Sequence, residues 1–237
     1  DEYLAWVHDP YSFGKDRDAR LFQWSFLEPL SKTMWWMIPL VWLPVIAYMW
    51  QDFLAAPYWS ATNGAAVLLG GLVLWTFVEY AIHRFVFHLD DRIPDHGIAI
   101  LLHFLLHGVH HKVPMDRYRL VMPPILFAAL ASTVYALLYP VSRLLPSPLY
   151  HALFSSVIFG YVCYDMVHYS QHHMALNRKG YFGRMKSYHM KHHYSGLQNL
   201  GFGITNKLWD YVFGTVLDVS VSKGITNTNM SAISKDL

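Results

Sequence analysis

Two nearly identical histidine runs, His107-Gly-Val-His110-His111 and His189-Met-Lys-His192-His193, constrain what this chain can fold into. Successive residues of an α-helix turn by roughly 100°, so positions i, i+3 and i+4 share one face within an arc of about 100°. Three imidazoles on one stripe repel when charged and add little to an apolar core when neutral. Neutral imidazole is, however, the commonest metal ligand. Two looser groups, His83/His88 and His168/His172/His173, accompany the triplets. The pattern calls for several helix faces converging on bound metal.

The setting is a membrane. Charged residues make up 14% of the 237 residues and hydrophobic ones 54%, against roughly 25% charged in a soluble domain. Four apolar stretches read as spans: Thr33–Trp50, with tryptophans at both ends, Thr62–Tyr80, Leu120–Tyr139 and Leu149–Val167. Pro39 and Pro44 are of the kind that membrane helices tolerate. Ala19–Leu30 is expected to form a helix on the membrane surface, an ordinary packed helix being the alternative. A further helix is expected at about Gly97–His111, and Val219–Leu237 reads as a disordered polar tail. A net charge of +2 is too small to suggest nucleic acid, and no such partner is expected. The lone Cys163 excludes an internal disulfide and any CxxC zinc site. No signal-peptide pattern is present, and the abrupt opening at Asp1 suggests a piece of something longer.

Basic residues concentrate on the cytoplasmic side of membranes. The head before the first span holds Lys15, Arg17, Arg20 and Lys32, and the middle loop holds Arg84, Arg92, Lys112, Arg117 and Arg119. The C-terminal part holds eight more, whereas the first turn has none and the second only Arg143. Both termini and the middle loop are therefore expected in the cytoplasm, together with every histidine group.

The expected ligands are His83, His88, His107, His110, His111, His168, His172, His189, His192 and His193, a set too large for one ion and suited to two. His83 and His88 lie five apart, about 140° around an ideal helix, and converge only if the helix ends or bends between them. His173 points away from the face of His168 and His172 and is expected to support a ligand. His103, one turn before His107, is placed to orient ligands or to sit near substrate. Glu79 and Asp165 precede His83 and His168 on shared faces, where a carboxylate can accept a ligand's second N–H; Asp165 as a ligand itself is the alternative. Tyr188 and Tyr194 bracket the second triplet as candidate substrate contacts, interfacial anchoring being the plainer reading. His8, His96 and His151 are read as ordinary.

These boxes resemble those of the membrane fatty acid hydroxylase superfamily. The text around them, His103-Phe-Leu-Leu-His-Gly-Val-His-His-Lys-Val-Pro-Met-Asp116, Arg119-Leu-Val-Met-Pro-Pro124, Gly201-Phe-Gly-Ile-Thr205 and Trp209-Asp-Tyr-Val-Phe-Gly-Thr215, is similar to the fatty acid 2-hydroxylases of sphingolipid acyl chains. The resemblance implies an all-α integral membrane enzyme in which four transmembrane helices are capped by a cytoplasmic helical region holding a dimetal site. It implies O2-dependent 2-hydroxylation of a long acyl chain in ceramide, a related sphingolipid or the free fatty acid, in the endoplasmic reticulum membrane. It further implies two iron ions, and electrons from a cytochrome b5-type donor fed by an NAD(P)H reductase. Imidazole also suits zinc, so a purified sample can carry that ion instead. The family usually carries an N-terminal cytochrome b5-like domain; no haem-binding His-Pro-Gly-Gly stretch occurs in residues 1–237, so that domain is expected to be missing or removed, and residues 1–237 read as one hydroxylase domain. The rival readings are a desaturase with similar boxes and a membrane metal-binding or transport protein. The latter should place ligands near mid-bilayer on broken helices.

Overall fold

The computed structural model describes residues 2–14 and 18–217. Lys15, Arg17 and the expected tail from Val219 lie outside the described residues. Those described form helices and connecting turns without a strand. In order the helices are α1 (Glu2–Val7), α2 (Met37–Leu54), α3 (Ala61–Ile82), α4 (Gly97–His103), α5 (Val109–Lys112), α6 (Pro124–Ser142), α7 (Ser147–His173), α8 (Tyr181–Tyr194) and α9 (Leu208–Phe213). Two π-helical turns, His83–Phe87 and Phe104–Gly108, continue α3 and join α4 to α5.

Among the described residues three helices are long and apolar enough to cross a membrane: Met37–Leu54, Ala61–Phe87 and Pro124–Ser142. The stretch expected as a fourth span falls within α7, which is 27 residues long but interrupted by His151, Ser155, Ser156 and Asp165. Those polar groups are tolerated because α7 is the axis of the bundle, with α2 and α3 packed along it and Ser155, Ser156 and Asp165 buried. Small residues allow a close approach: a Cβ on Gly71 would land on Ser156, and one on Gly160 on the Trp75 side chain. Glycine and serine serve this purpose where apolar surface alone gives lipid-bathed helices no reason to associate. Ile38, Trp42 and Ile46 of α2 complete the core with Trp75, Ile158, Tyr161 and Val162. α6 buries no residue and stands on the flank.

The helix expected at Ala19–Leu30 is not formed; the segment holds only a 3-10 turn at Ser25–Ser31. Side chains take its backbone groups instead. The Glu28 carboxylate accepts the N–H groups of Leu21 and Phe22 at 2.8 and 2.6 Å, and Arg20 donates to the carbonyls of Phe22 and Gln23. Arg119 ties this head to the middle loop by donating to Glu28 and Asp116, both at 2.7 Å.

Candidate metal centre

The site forms where α3, α5, α7 and α8 end together. In the π turn the His88 N–H reaches back five residues to the His83 carbonyl, 3.1 Å away. That wider turn supplies the bend which His83 and His88 need in order to converge. On α7, His168 and His172 are one turn apart and meet the second triplet directly.

All ten expected imidazoles gather into two sets whose nitrogens lie within 4.8 Å of one another: His83, His88, His107, His111 and His192, then His110, His168, His172, His189 and His193. The triplets are shared crosswise. The i and i+4 members of the first triplet join one set and its i+3 member, His110, joins the other. The second triplet sends His189 and His193 to one set and His192 across.

Within the sets, Nε2 atoms face one another at close range. His107 and His111 are 3.0 Å apart, His88 and His192 3.1 Å, and His189 lies 2.9, 2.9 and 3.0 Å from His168, His172 and His193. Hydrogen bonds cannot account for this, because one imidazole nitrogen carries at most one proton and His189 Nε2 faces three partners. Nitrogens bound at right angles to one ion, each 2.0–2.1 Å from it, would stand about 2.9 Å apart. Two tautomers are also fixed. His83 Nδ1 donates to the Phe202 carbonyl at 2.6 Å and His192 Nδ1 to that of Leu200 at 2.8 Å, which turns both Nε2 lone pairs inward. His83 Nε2 and His110 Nε2 are buried without any hydrogen-bond partner. The residues present therefore fit two metal ions.

Electrostatics agree. Burial, reinforced by neighbouring imidazoles, holds His107, His110, His111, His189, His192 and His193 well below the usual histidine range. Burial brings His88 down to about 3 despite Asp90 beside it. All are neutral at pH 7, the form in which imidazole binds metal.

The supporting residues depart from expectation. The Glu79 carboxylate does not take the His83 ring N–H. Its Oε1 accepts the N–H groups of Ile204 and Thr205 at 3.1 and 2.7 Å, and the Thr205 hydroxyl bonds the same carboxylate. A backbone carbonyl from the loop so clamped, that of Phe202, takes the His83 N–H instead. Asp165 does not bond His168: its Oδ2 and His168 Nδ1 are both buried without partners. His103 donates from Nε2 to the Phe87 carbonyl at 2.9 Å and accepts the Tyr3 hydroxyl at Nδ1, 2.7 Å away, so it closes the π turn. His173 joins neither set and packs its ring 4.8 Å from Tyr169. Tyr188 is buried, its hydroxyl accepting the Leu217 N–H at 3.1 Å. Tyr194 is half-buried with its ring 6.4 Å from His193.

Three contributors had no place in the expected site. Asp210 accepts the N–H groups of Phe202 and Gly203 at 3.0 and 2.9 Å, making the second clamp on the loop; its place in the Trp209-Asp-Tyr run was the available signal. Asp90, two residues beyond His88, lies among His8, His88 and His103. Burial alone would raise its carboxyl, but the three imidazoles around it, of which His8 is hydrogen-bonded at 2.9 Å, leave it far below the usual carboxylate range. His8 carries no sequence signal at all.

A family model described as fatty acid hydroxylase matches residues 68–215, a stretch that holds all ten clustered histidines. The chain belongs to the fatty acid hydroxylase family. Among its relatives is the ceramide very long chain fatty acid hydroxylase of Saccharomyces cerevisiae, 45% identical over 94% of this chain and 56% of its own length. The fatty acid 2-hydroxylase of Rattus norvegicus is 39% identical over 92% of this chain and 60% of its own. The dihydroceramide fatty acyl 2-hydroxylase FAH2 of Arabidopsis thaliana is 38% identical over 91% and 86%. The chain thus spans little more than half the length of the yeast relative. A solved structure of full-length scs7p, in which only the hydroxylase domain is visible, superposes with a TM-score of 0.82 at 44% identity, over 91% of this chain and 78% of that one.

Proposed function

We propose that this hydroxylase domain places a hydroxyl group on C2 of a long acyl chain, in ceramide, a related sphingolipid or the free fatty acid. The observation that carries the reading is the pair of five-imidazole sets in a family whose named relatives hydroxylate such chains. The overall reaction balances as R–H + O2 + 2 e⁻ + 2 H⁺ → R–OH + H2O, so an external reductant is required. A cytochrome b5-type donor served by an NAD(P)H reductase fits that need.

Two bound iron ions would supply the O2-derived oxidant that an unactivated C–H bond requires. The first ion would be held by His83, His88, His107, His111 and His192, the second by His110, His168, His172, His189 and His193. The chain's own part is geometric. The loop clamped by Glu79 and Asp210 orients His83, and burial keeps the imidazoles neutral and bulk water out. Ten neutral imidazoles would bring no negative charge of their own to the two ions.

Topology makes C2 the reachable carbon. We read four spans, with α7 as the fourth, and place the histidine end and both termini in the cytoplasm, on the endoplasmic reticulum membrane. The support is the skew of Lys and Arg toward the histidine side. The exposed apolar sleeve of α3 and α6, including Leu69, Val73, Ile125, Leu130 and Leu137, gives an acyl tail a place to lie. The polar head then stays in the interface and the carbon beside the carbonyl comes nearest the metals. The test feeds deuterium-labelled acyl substrates under labelled O2 to cells expressing the chain. Oxygen from O2 at C2 is the expected result. Loss of hydrogens from an interior methylene pair, without oxygen, would mean desaturation; no change in lipid while metal still binds would favour a metal-handling protein.

A further inference from the structure

His88 is the ligand candidate whose support the reaction does not explain. Its Nε2 points at His192, 3.1 Å away, so its Nδ1 carries the proton and needs an acceptor. That Nδ1 is buried with no hydrogen bond, and Asp90 Oδ2 stands 3.7 Å from it. The same oxygen accepts His8 Nε2 at 2.9 Å, and Asp90 Oδ1 lies 3.4 Å from His103 Nε2. Asp90 is 6% exposed, and among the described residues its ion-pair partners are all imidazoles. A buried carboxylate without a permanent cation is costly, which marks this one as placed for the histidines.

His8 follows directly on α1, which is fastened over the first histidine set. Lys112 donates from Nζ to the carbonyls of Trp6 and Asp9 at 3.0 and 2.6 Å, and Tyr3 bonds His103. Val7 is fully buried against Gly108, where an added Cβ would come within 3.0 Å of Val7 Cγ2 and 2.8 Å of the Tyr3 hydroxyl. The His8 ring centre then lies 5.0 Å from that of His111 and 6.1 Å from that of His88.

We propose that Asp90 is the positioning carboxylate of His88 and that the N-terminal strap, through His8, holds Asp90 in place, so that one of the two ions depends on residues 2–9. The inference rests on the two-metal reading and assigns a dependence to the first set alone. An acceptor on the far nitrogen of a ligating imidazole fixes its tautomer and ring orientation and makes it a better ligand. His8 does the same one step out, since without it Asp90 loses its 2.9 Å donor.

The test loads the full chain with Fe(II) or Co(II) in detergent and follows the release of each ion to a chelator, with helical content and thermal midpoint as checks on folding. Asp90→Ala should loosen one ion on the order of 10–100-fold and leave the other at the wild-type rate. Asp90→Glu should recover part of that loss. His8→Ala should loosen the same ion by less, and the double variant should be no worse than Asp90→Ala alone. Wild-type release from both sites in Asp90→Ala, or equal loosening of both, overturns the proposal while leaving the two-metal reading intact. A wild-type chain that binds fewer than two ions overturns that reading and this proposal with it.

Discussion

The two histidine sets use the same residue type and nearly the same spacing, yet they are built differently. In the first, the outward nitrogens of His83 and His192 bond the carbonyls of Phe202 and Leu200, and that of His88 faces Asp90. In the second, the Nδ1 atoms of His168, His172, His189 and His193 are buried without partners. The second set is positioned by helix geometry: two i, i+4 pairs on α7 and α8, with His110 brought up to them. The first set draws on a π turn, a clamped loop and the N-terminal strap. The second set rests on its helices alone, whereas three of the five ligands of the first have a support that a substitution can remove.

Crossed sharing gives the largest expected effect. His192→Ala and His110→Ala should each abolish turnover, and each should cost the ion of the set opposite to its triplet's other two members. Double variants make this sharp. His192→Ala with His88→Ala removes two ligands from one set and should still leave one ion per chain by elemental analysis. His192→Ala with His189→Ala, from one triplet, strikes both sets and should leave fewer than one. Equal losses in the two doubles would break the crossed assignment.

Acidification comes next and affects both sets. The buried histidines outside the spans have folded-state pKa values below the unfolded value of about 6.5. The unfolded chain therefore takes up protons first. Stability and metal retention should be complete above about pH 6.5 and decline as the pH falls below it. For His88 the decline should continue to about pH 3. Metal content after dialysis through this range checks the sign; retention that rose on acidification would contradict it.

Loosening the loop should separate the sets more gently. Glu79→Gln replaces an acceptor that serves Ile204 and Thr205, and Asp210→Asn weakens the hold on Phe202 and Gly203. Each should weaken metal binding on the order of 10–100-fold, at the first set only, because no histidine of the second set bonds that loop. Isothermal titration of the metal-free protein would resolve one weakened and one unchanged site.

Much of this was legible in the sequence because helical spacing and hydropathy are local. The membrane-length helices fall within a few residues of expectation, and His189–His193 is α-helical as its spacing requires, while the first triplet runs from a π turn at His107 into α5. What spacing could not convey was allocation. Residues at i, i+3 and i+4 share a face, but a face about 100° wide can serve two foci, and only the partner helices decide which nitrogen goes where. The partners of the carboxylates escape helical spacing for a related reason. Glu79 and Asp165 lie on the same helix faces as His83 and His168, yet the bonds of Glu79 run to residues more than a hundred positions away. His8 and Asp90, separated by 82 positions, illustrate the same limit.

The smallest expected effect tests whether the comparison concerns metal sites or merely buried histidines. His151 sits in the first turns of α7, in neither set, and its Nε2 bonds the Tyr135 hydroxyl of α6 at 2.9 Å. Removing it breaks one hydrogen bond between helices, worth about 1 kcal/mol. His151→Ala should therefore lower the thermal midpoint slightly and leave both ions and the turnover at wild-type values. It shares α7 with His168 and His172, so a general loosening of that helix would reach the second set. Loss of an ion from this variant would show that the second set depends on the whole length of α7, and its apparent independence from added supports would then be a property of the bundle.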